Sequence, residues 1–313
     1  MRAIGVTQYG GPEALHEIDV PAEELGAGSV RIRVNAAAVS PTDTAVRSGA
    51  RSESDRAEDP GDVPGMDIAG VVAEIGLQSE AGLAVGDRVV GIVVPAGAHG
   101  AYRDEIVLPL RSVVRAPAGA SDAEAATLPM NALTARRALD LLALEPGRTL
   151  AVTGAAGTLG GYLIQLAKAD GLRVIADAAE QDEQLVRTLG ADEVVRRGAD
   201  VADRIRDLVP DGADGLADAS VQSAQVLPAV KDGGAVATFR GYQGEGARGV
   251  RVHPVRVRDV AQEREMLDEL RDLAAQGVLT LRVADVLPAA QAAEAHRRLE
   301  AGGVRGRLVL DLR

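Results

Sequence analysis

The residue types and spacing best suited to chemistry lie in one short stretch, Val152-Thr153-Gly154-Ala155-Ala156-Gly157-Thr158-Leu159-Gly160-Gly161. Within it, Ala155-x-Gly157-x-x-Gly160 matches a dinucleotide fingerprint with alanine at its first position. The three positions serve a tight turn, close approach of backbone to a diphosphate, and close packing of helix on strand. The backbone amides of Ala156, Gly157, Thr158 and Leu159, at the positive end of the helix that follows, are the expected diphosphate ligands. An acidic residue about 20 positions onward normally meets the adenosine ribose, and Asp177 stands there. Asp177 also suits the acidic N-terminus of a helix, since Glu180, Asp182 and Glu183 follow it.

Such a turn works only between a strand and a helix, and the flanking patterns supply both. Thr149 to Thr153 is a short buried-strand pattern, and Leu159 to Ala169 carries apolar residues at helical spacing. The alternation continues through a strand at 172–176, a helix at 180–189, a strand at 193–195, a helix at 201–208, and strands near 215–219 and 235–239. Strands alternating with helices of about ten residues predict βαβ crossovers and a parallel sheet with helices on both faces. The first 120 or so residues differ, with strand patterns at 30–34, 68–75, 88–94 and 105–108 between Gly-, Pro- and Asp-rich turns. Ser48 to Asp62 is almost wholly small, polar or charged and predicts a mobile surface loop. The chain closes on a charged helix (263–276), a strand (281–286), a helix (289–301) and a strand (307–312).

Composition narrows the chemistry further. The 313 residues include no cysteine, which excludes a thiolate nucleophile, a disulfide framework and Cys-held zinc or iron–sulfur clusters. With 34 basic and 46 acidic residues the net charge is −12, and aromatics make up 2% of the chain. That balance argues against binding to nucleic acid or to an anionic membrane. No apolar run approaches the ~18 residues of a membrane span, and the N-terminus lacks a signal-peptide pattern, so a cytoplasmic protein is expected.

Several segments, in order and spacing, resemble the zinc-independent quinone oxidoreductases (zeta-crystallin-like) of the medium-chain dehydrogenase/reductase superfamily. They are Met1–Pro12 with its Gly-Gly-Pro turn, Ala38 to Thr44, Pro64 to Val72, Val85 to Val89, Ala125 to Pro129 with Leu133 to Ala135, Gly154 to Gly160, Leu189 to Asp192, and Val304 to Leu310. The resemblance spans the chain and implies an α/β protein of two domains. A GroES-like β-rich catalytic domain would comprise residues 1–120 with 262–313, and an inserted Rossmann doubly wound parallel-sheet domain, 121–261, would bind NAD(P)H. It further implies reduction of a quinone or enone and a homodimer. Met130 and Thr134 would lie near the nicotinamide or its ribose, and the strand ends Ala219, Ser220 and Val221 and Phe239, Arg240 and Gly241 along its other side. Ser40, Thr44 and Met66 would line the substrate pocket.

Departures from the family pattern carry information too. Zinc-dependent relatives use a Cys and a Gly-His-Glu motif where this chain has Ser40-Pro41 and Gly65-Met66-Asp67. His16, His99, His253 and His296 are scattered, so surface or packing roles are expected and no metal site. Ser40 stands where the family usually has Asn. Asp43 suits either a proton relay or a carboxylate capping local backbone, and no residue is assigned as catalytic. The stretch after the second strand, Asp177 to Glu183, contains no cation for a 2′-phosphate, which favours NADH. Arg196 and Arg197 follow the third strand and offer a fork suited to phosphate. The expected cofactor is NADPH, with NADH close behind. Phe239 and Tyr242 are candidates for stacking on a substrate ring, with a core role for Phe239 equally open. An enoyl reductase of natural-product or acyl-thioester metabolism, and a catalytically idle nucleotide-binding protein, are the alternative readings.

Overall fold

The computed structural model describes residues 1–50, 54, 56–77, 82–244 and 247–313. The loop expected from Ser48 to Asp62 therefore lies partly outside the described residues. Two compact units are present. One comprises Met1–Met130, Ala261–Gly277 and Leu281–Arg313; the other comprises Asn131–Val260 with Val278–Thr280.

The first unit is β-rich because its apolar residues alternate. In strand Ser29–Ala38, Val30, Ile32 and Val34 are buried while Arg31 and Arg33 point away from the core. This strand is the hub of a seven-stranded sheet. It pairs antiparallel with Asp67–Ile75, Glu105–Pro109 and Arg307–Asp311. Pairing with Asp67–Ile75 shifts register twice, and bulges of that kind bend a strand and re-aim its side chains. Arg307–Asp311 brings the end of the chain back beside the beginning and pairs parallel with Val283–Pro288. The core is aliphatic, with Ile32, Ile68, Val72, Val89, Ile106, Leu108 and Leu310 packed together. Each such side chain contributes roughly 1.5–3 kcal/mol on burial.

The second unit is the alternating one. Its six strands run parallel in the order Glu193–Arg196, Arg173–Ala178, Thr149–Thr153, Ala213–Asp218, Val230–Thr238, Arg251–Pro254. In chain order that is 3-2-1-4-5-6, the doubly wound arrangement whose direction of winding reverses beside the first strand. Its strands are buried runs rather than alternating ones, as a sheet covered on both faces requires. Helix Thr158–Ala169 follows the first strand at once.

Candidate functional site

At the carboxyl ends of the second unit's strands, the glycine turn opens the first helix. Gly154 sits at φ +70°, and a Cβ there would lie 2.8 Å from the backbone of Ala219 and Ser220. Gly160 is pressed on the carbonyl of Gly154 and on the Ala155 Cα, so the helix can approach the strand this closely only without a side chain at 160. Gly157 has an ordinary φ of −70° as N-cap of the helix. A Cβ there would meet only the Gly154 carbonyl, at 3.2 Å, so Gly157 leaves room on the open side of the turn. Its own N–H donates back to Gly154 at 3.0 Å and closes the turn. Thr158 and Leu159, in the first helical turn, carry amides with no intrahelical acceptor to use.

Asp177 lies at the end of the neighbouring strand and is buried. Its Oδ1 accepts the Ala155 N–H at 3.1 Å, so the carboxylate braces the turn from below. Burial pushes its pKa up, against the hydrogen bonds from Ala155 and Gly154 and the positive charge of Arg197. Arg196 is exposed and pairs loosely with Glu180 at 3.4 Å. Arg197 is exposed as well, and its guanidinium makes no hydrogen bond or ion pair among the described residues. Ala219 and Ser220 are half-buried at the end of the fourth strand. Phe239 is buried, Arg240 (φ +62°) and Gly241 are exposed, and Thr238 Oγ1 donates to the Tyr242 carbonyl at 2.8 Å. The stacking pair expected of Phe239 and Tyr242 thus has one member in the core. Thr134 is buried in the same unit, on helix Pro129–Leu142.

In the first unit, Ser40 caps helix Pro41–Arg47 and is fully buried. Its Oγ has no hydrogen-bond partner among the described residues. Asp43 Oδ2 accepts the Ser40 N–H at 2.8 Å and the Tyr102 hydroxyl at 2.9 Å. His296 Nε2 meets the same hydroxyl at 3.3 Å, and its Nδ1 meets Arg47 Nη1 at 3.3 Å. Arginine only donates, which makes Nδ1 the acceptor and puts the proton of neutral His296 on Nε2. The bonds then run one way, from Arg47 to His296 to Tyr102 to Asp43. Burial raises Asp43 to about 6 and, with Arg47 adjacent, lowers His296 to about 4. A chain that ends on an arginine orients groups but does not recharge them with protons, so these contacts suit the capping role of Asp43.

Thr44 Oγ1 donates to the Pro41 carbonyl on the same helix, and Met66 is buried just before strand Asp67–Ile75. Asp67 is fully buried, held by Arg307 at 2.9 Å and by the Met130 N–H at 2.6 Å. The Met130 backbone is thus tied to Asp67.

Two family models match. Residues 26–118 match an alcohol dehydrogenase GroES-like domain, and residues 189–310 match a zinc-binding dehydrogenase model. A solved structure described as an NAD-dependent alcohol dehydrogenase is 31% identical and superposes with a TM-score of 0.85 over 99% of each chain. A quinone oxidoreductase of Mus musculus is 33% identical over 69% of this chain. An NADPH-dependent alkenal/one oxidoreductase of Arabidopsis thaliana is 30% identical over 77%. The chain belongs to the zeta-crystallin-like quinone oxidoreductase family of the medium-chain dehydrogenase/reductase superfamily. It spans a little under two thirds of the length of these two curated relatives, 64% and 63%.

As a member of this family it has a GroES-like domain and a Rossmann-like parallel sheet. Two residues of the candidate site were not visible to sequence reasoning. Arg307 lies inside the Val304–Leu310 motif, but its partner Asp67 is 240 positions away. Asp218, at the end of the fourth strand, is buried and accepts from the Thr153 hydroxyl at 2.8 Å. A strand-terminal acid followed by Ser220, Gln222 and Ser223 was the available signal for it.

Proposed function

We propose that this chain is an NADPH-dependent, zinc-independent reductase of a quinone or an α,β-unsaturated carbonyl. The glycine turn at the reversal point of the parallel sheet carries the reading, because its open side, its orphan amides and its bare Arg197 suit a phosphorylated dinucleotide. The second unit would be the cofactor domain and the first the catalytic domain. When bound, the reduced nicotinamide supplies a hydride, while one proton for the acceptor comes from solvent. Thr158 and Leu159 would hold the diphosphate through their amides, with Ala156 and Gly157 shaping the turn. Arg197, with Arg196 beside it, would meet the 2′-phosphate, and Asp177 would brace the turn rather than face the ribose. Met130, Thr134, Ala219, Ser220, Arg240 and Gly241 would border the nicotinamide half.

The donor set does not fit zinc. Ser40 and Met66 offer a hydroxyl and a thioether, and the Asp67 carboxylate is already held by Arg307. Among the described residues no group of three or more His, Asp or Glu is placed to hold a metal. Ser40, with Thr44 and Met66, would instead hydrogen-bond and enclose the substrate carbonyl. We assign the protein to the cytoplasm as a homodimer without nucleic-acid or membrane partners. The net charge of −12 supports this, as does edge strand Arg251–Pro254, which among the described residues pairs on one side only. No helix among the described residues is long and apolar enough to cross a membrane.

The test is a fluorescence titration with NADPH and NADH separately, followed by addition of a small quinone or enone to each complex. NADPH binding followed by acceptor-dependent oxidation is the expected result. Failure of both cofactors to bind would end the proposal.

A further inference from the structure

Three neighbouring strands of the second unit end in left-handed backbone: Gly154 at φ +70°, Val221 at +59° with Ser223 at +60°, and Arg240 at +62°. Glycine adopts this conformation freely, whereas for a β-branched residue such as Val221 it is an outlier. Val221 is also 40% exposed, so core packing does not force it there. A strained residue that persists at a strand's carboxyl end must be held by its surroundings, and the structure shows what holds it.

Asp218 is the fastening point. Its Oδ1 accepts from Ser220 Oγ at 3.1 Å and from the Gln222 N–H at 3.1 Å, and its Oδ2 accepts from the Ser223 N–H at 2.7 Å. The Asp218 carbonyl takes the Val221 N–H at 3.2 Å. On its other side, Oδ1 takes the Thr153 hydroxyl at 2.8 Å, and Thr153 is the residue immediately before Gly154. In the parallel register Asp218 lies level with Thr153 on one neighbour and Thr238 on the other. The loop 219–223 and the glycine turn are thus fixed to one another by a single carboxylate, and again where Gly154 abuts Ala219 and Ser220. In a sheet wound this way, the fourth and fifth strands serve the second mononucleotide half of a bound dinucleotide.

We propose that Asp218 is a positioning residue for the nicotinamide half of the cofactor, holding Val221 in its strained conformation as a rigid apolar face for the ring. This rests on the dinucleotide reading above. It adds that the strain at Val221 is retained for alignment rather than for stability, and that the diphosphate turn and the ring face are set in mutual register through Thr153.

The experiment compares wild type with Val221→Gly and Thr153→Val. Probes are NADPH and 2′-phospho-ADP-ribose, which keeps the diphosphate and adenosine half but lacks the nicotinamide. Both variants should bind 2′-phospho-ADP-ribose within about twofold of wild type. Val221→Gly should melt at the same or a higher temperature, because the strain is relieved, yet lose at least tenfold in kcat/KM. Thr153→Val should weaken NADPH at least fivefold relative to the fragment. Unchanged kcat/KM in Val221→Gly would overturn the proposal. Parallel loss of NADPH and fragment binding with a lowered melting temperature would also overturn it, by making the loop purely structural. Wild type binding neither probe would instead refute the dinucleotide reading itself.

Discussion

Substituting Gly157 with Ala separates a ligand-binding turn from a tight turn that merely joins strand to helix. The native φ of −70° is open to alanine, and the new methyl group would meet only the Gly154 carbonyl, at 3.2 Å. Alanine is a poorer N-cap than glycine by roughly 0.5–1 kcal/mol, and the lost freedom of the unfolded chain returns about 0.4–1 kcal/mol. Stability should therefore change by less than about 1 kcal/mol, a shift of a few degrees in melting temperature at most. Cofactor binding has no such compensation. The methyl group projects to the open side of the turn, where a diphosphate would approach the Thr158 and Leu159 amides. Losing one hydrogen bond to a charged group costs about 1.5–3 kcal/mol, which weakens binding roughly 10- to 150-fold. The assay pairs a thermal melt with a nicotinamide fluorescence titration of the same preparation. An unchanged Kd in a variant that melts like wild type would refute the assignment of this turn to the diphosphate.

Other substitutions probe the remaining parts of the site. Arg197→Gln should weaken NADPH about tenfold, the scale of one charge-assisted phosphate contact, while leaving NADH unchanged; equal effects on both cofactors would remove Arg197 from the 2′-phosphate. Arg307→Met strands the Asp67 carboxylate, both side chains being almost wholly buried. It should destabilise the protein by about 3–5 kcal/mol in urea unfolding, and a loss below about 1 kcal/mol would contradict the pairing. The pH dependence of stability tests the Arg47–His296–Tyr102–Asp43 chain, around which Asp67, Arg307 and Glu300 are the other charged groups. Asp43, raised from 3.8 to about 6, contributes stability below pH 3.8 that is lost as pH rises through 6. His296, lowered from 6.5 to about 4, contributes stability above 6.5 that is lost as pH falls through 4. Each amounts to about 3 kcal/mol, and over pH 4–6 they oppose one another. Relative to wild type, Asp43→Asn should gain stability with rising pH across that window and His296→Gln should lose it. Parallel pH profiles for all three proteins would show that these groups do not titrate as described.

The second unit was legible in the sequence because its signals are local. Strand Thr149–Thr153 and helix Val201–Leu208 stand where apolar runs and helical spacing put them. The segment read as one helix over 180–189 is a short 3-10 turn followed by helix Glu183–Thr188, since Glu180, Gln181 and Asp182 form a separate tighter turn. Helix Pro129–Leu142 escaped the periodicity reading because its first half is buried throughout, the polar Asn131 and Thr134 included, so polarity and exposure do not coincide there. The short strand Arg251–Pro254 has too few residues to reveal alternation. Of the site, the glycine turn was plain, but the use made of each residue was not. Asp177 sits where the spacing put it, yet its carboxylate is turned onto the Ala155 amide, a direction that spacing does not encode. Asp67 with Arg307, and Asp43 with Tyr102 and His296, are pairings between residues 59 to 240 positions apart that one sequence cannot display.

The most direct test of a zinc-independent reductase is steady-state oxidation of NADPH by a small quinone and by an enone, before and after exhaustive dialysis against a chelator. Turnover with at least one acceptor, unchanged by the chelator, is the expected result. Activity that disappears with the chelator and returns with zinc would contradict it, and would place a metal where Ser40, Met66 and the Arg307-bound Asp67 offer it no ligand set.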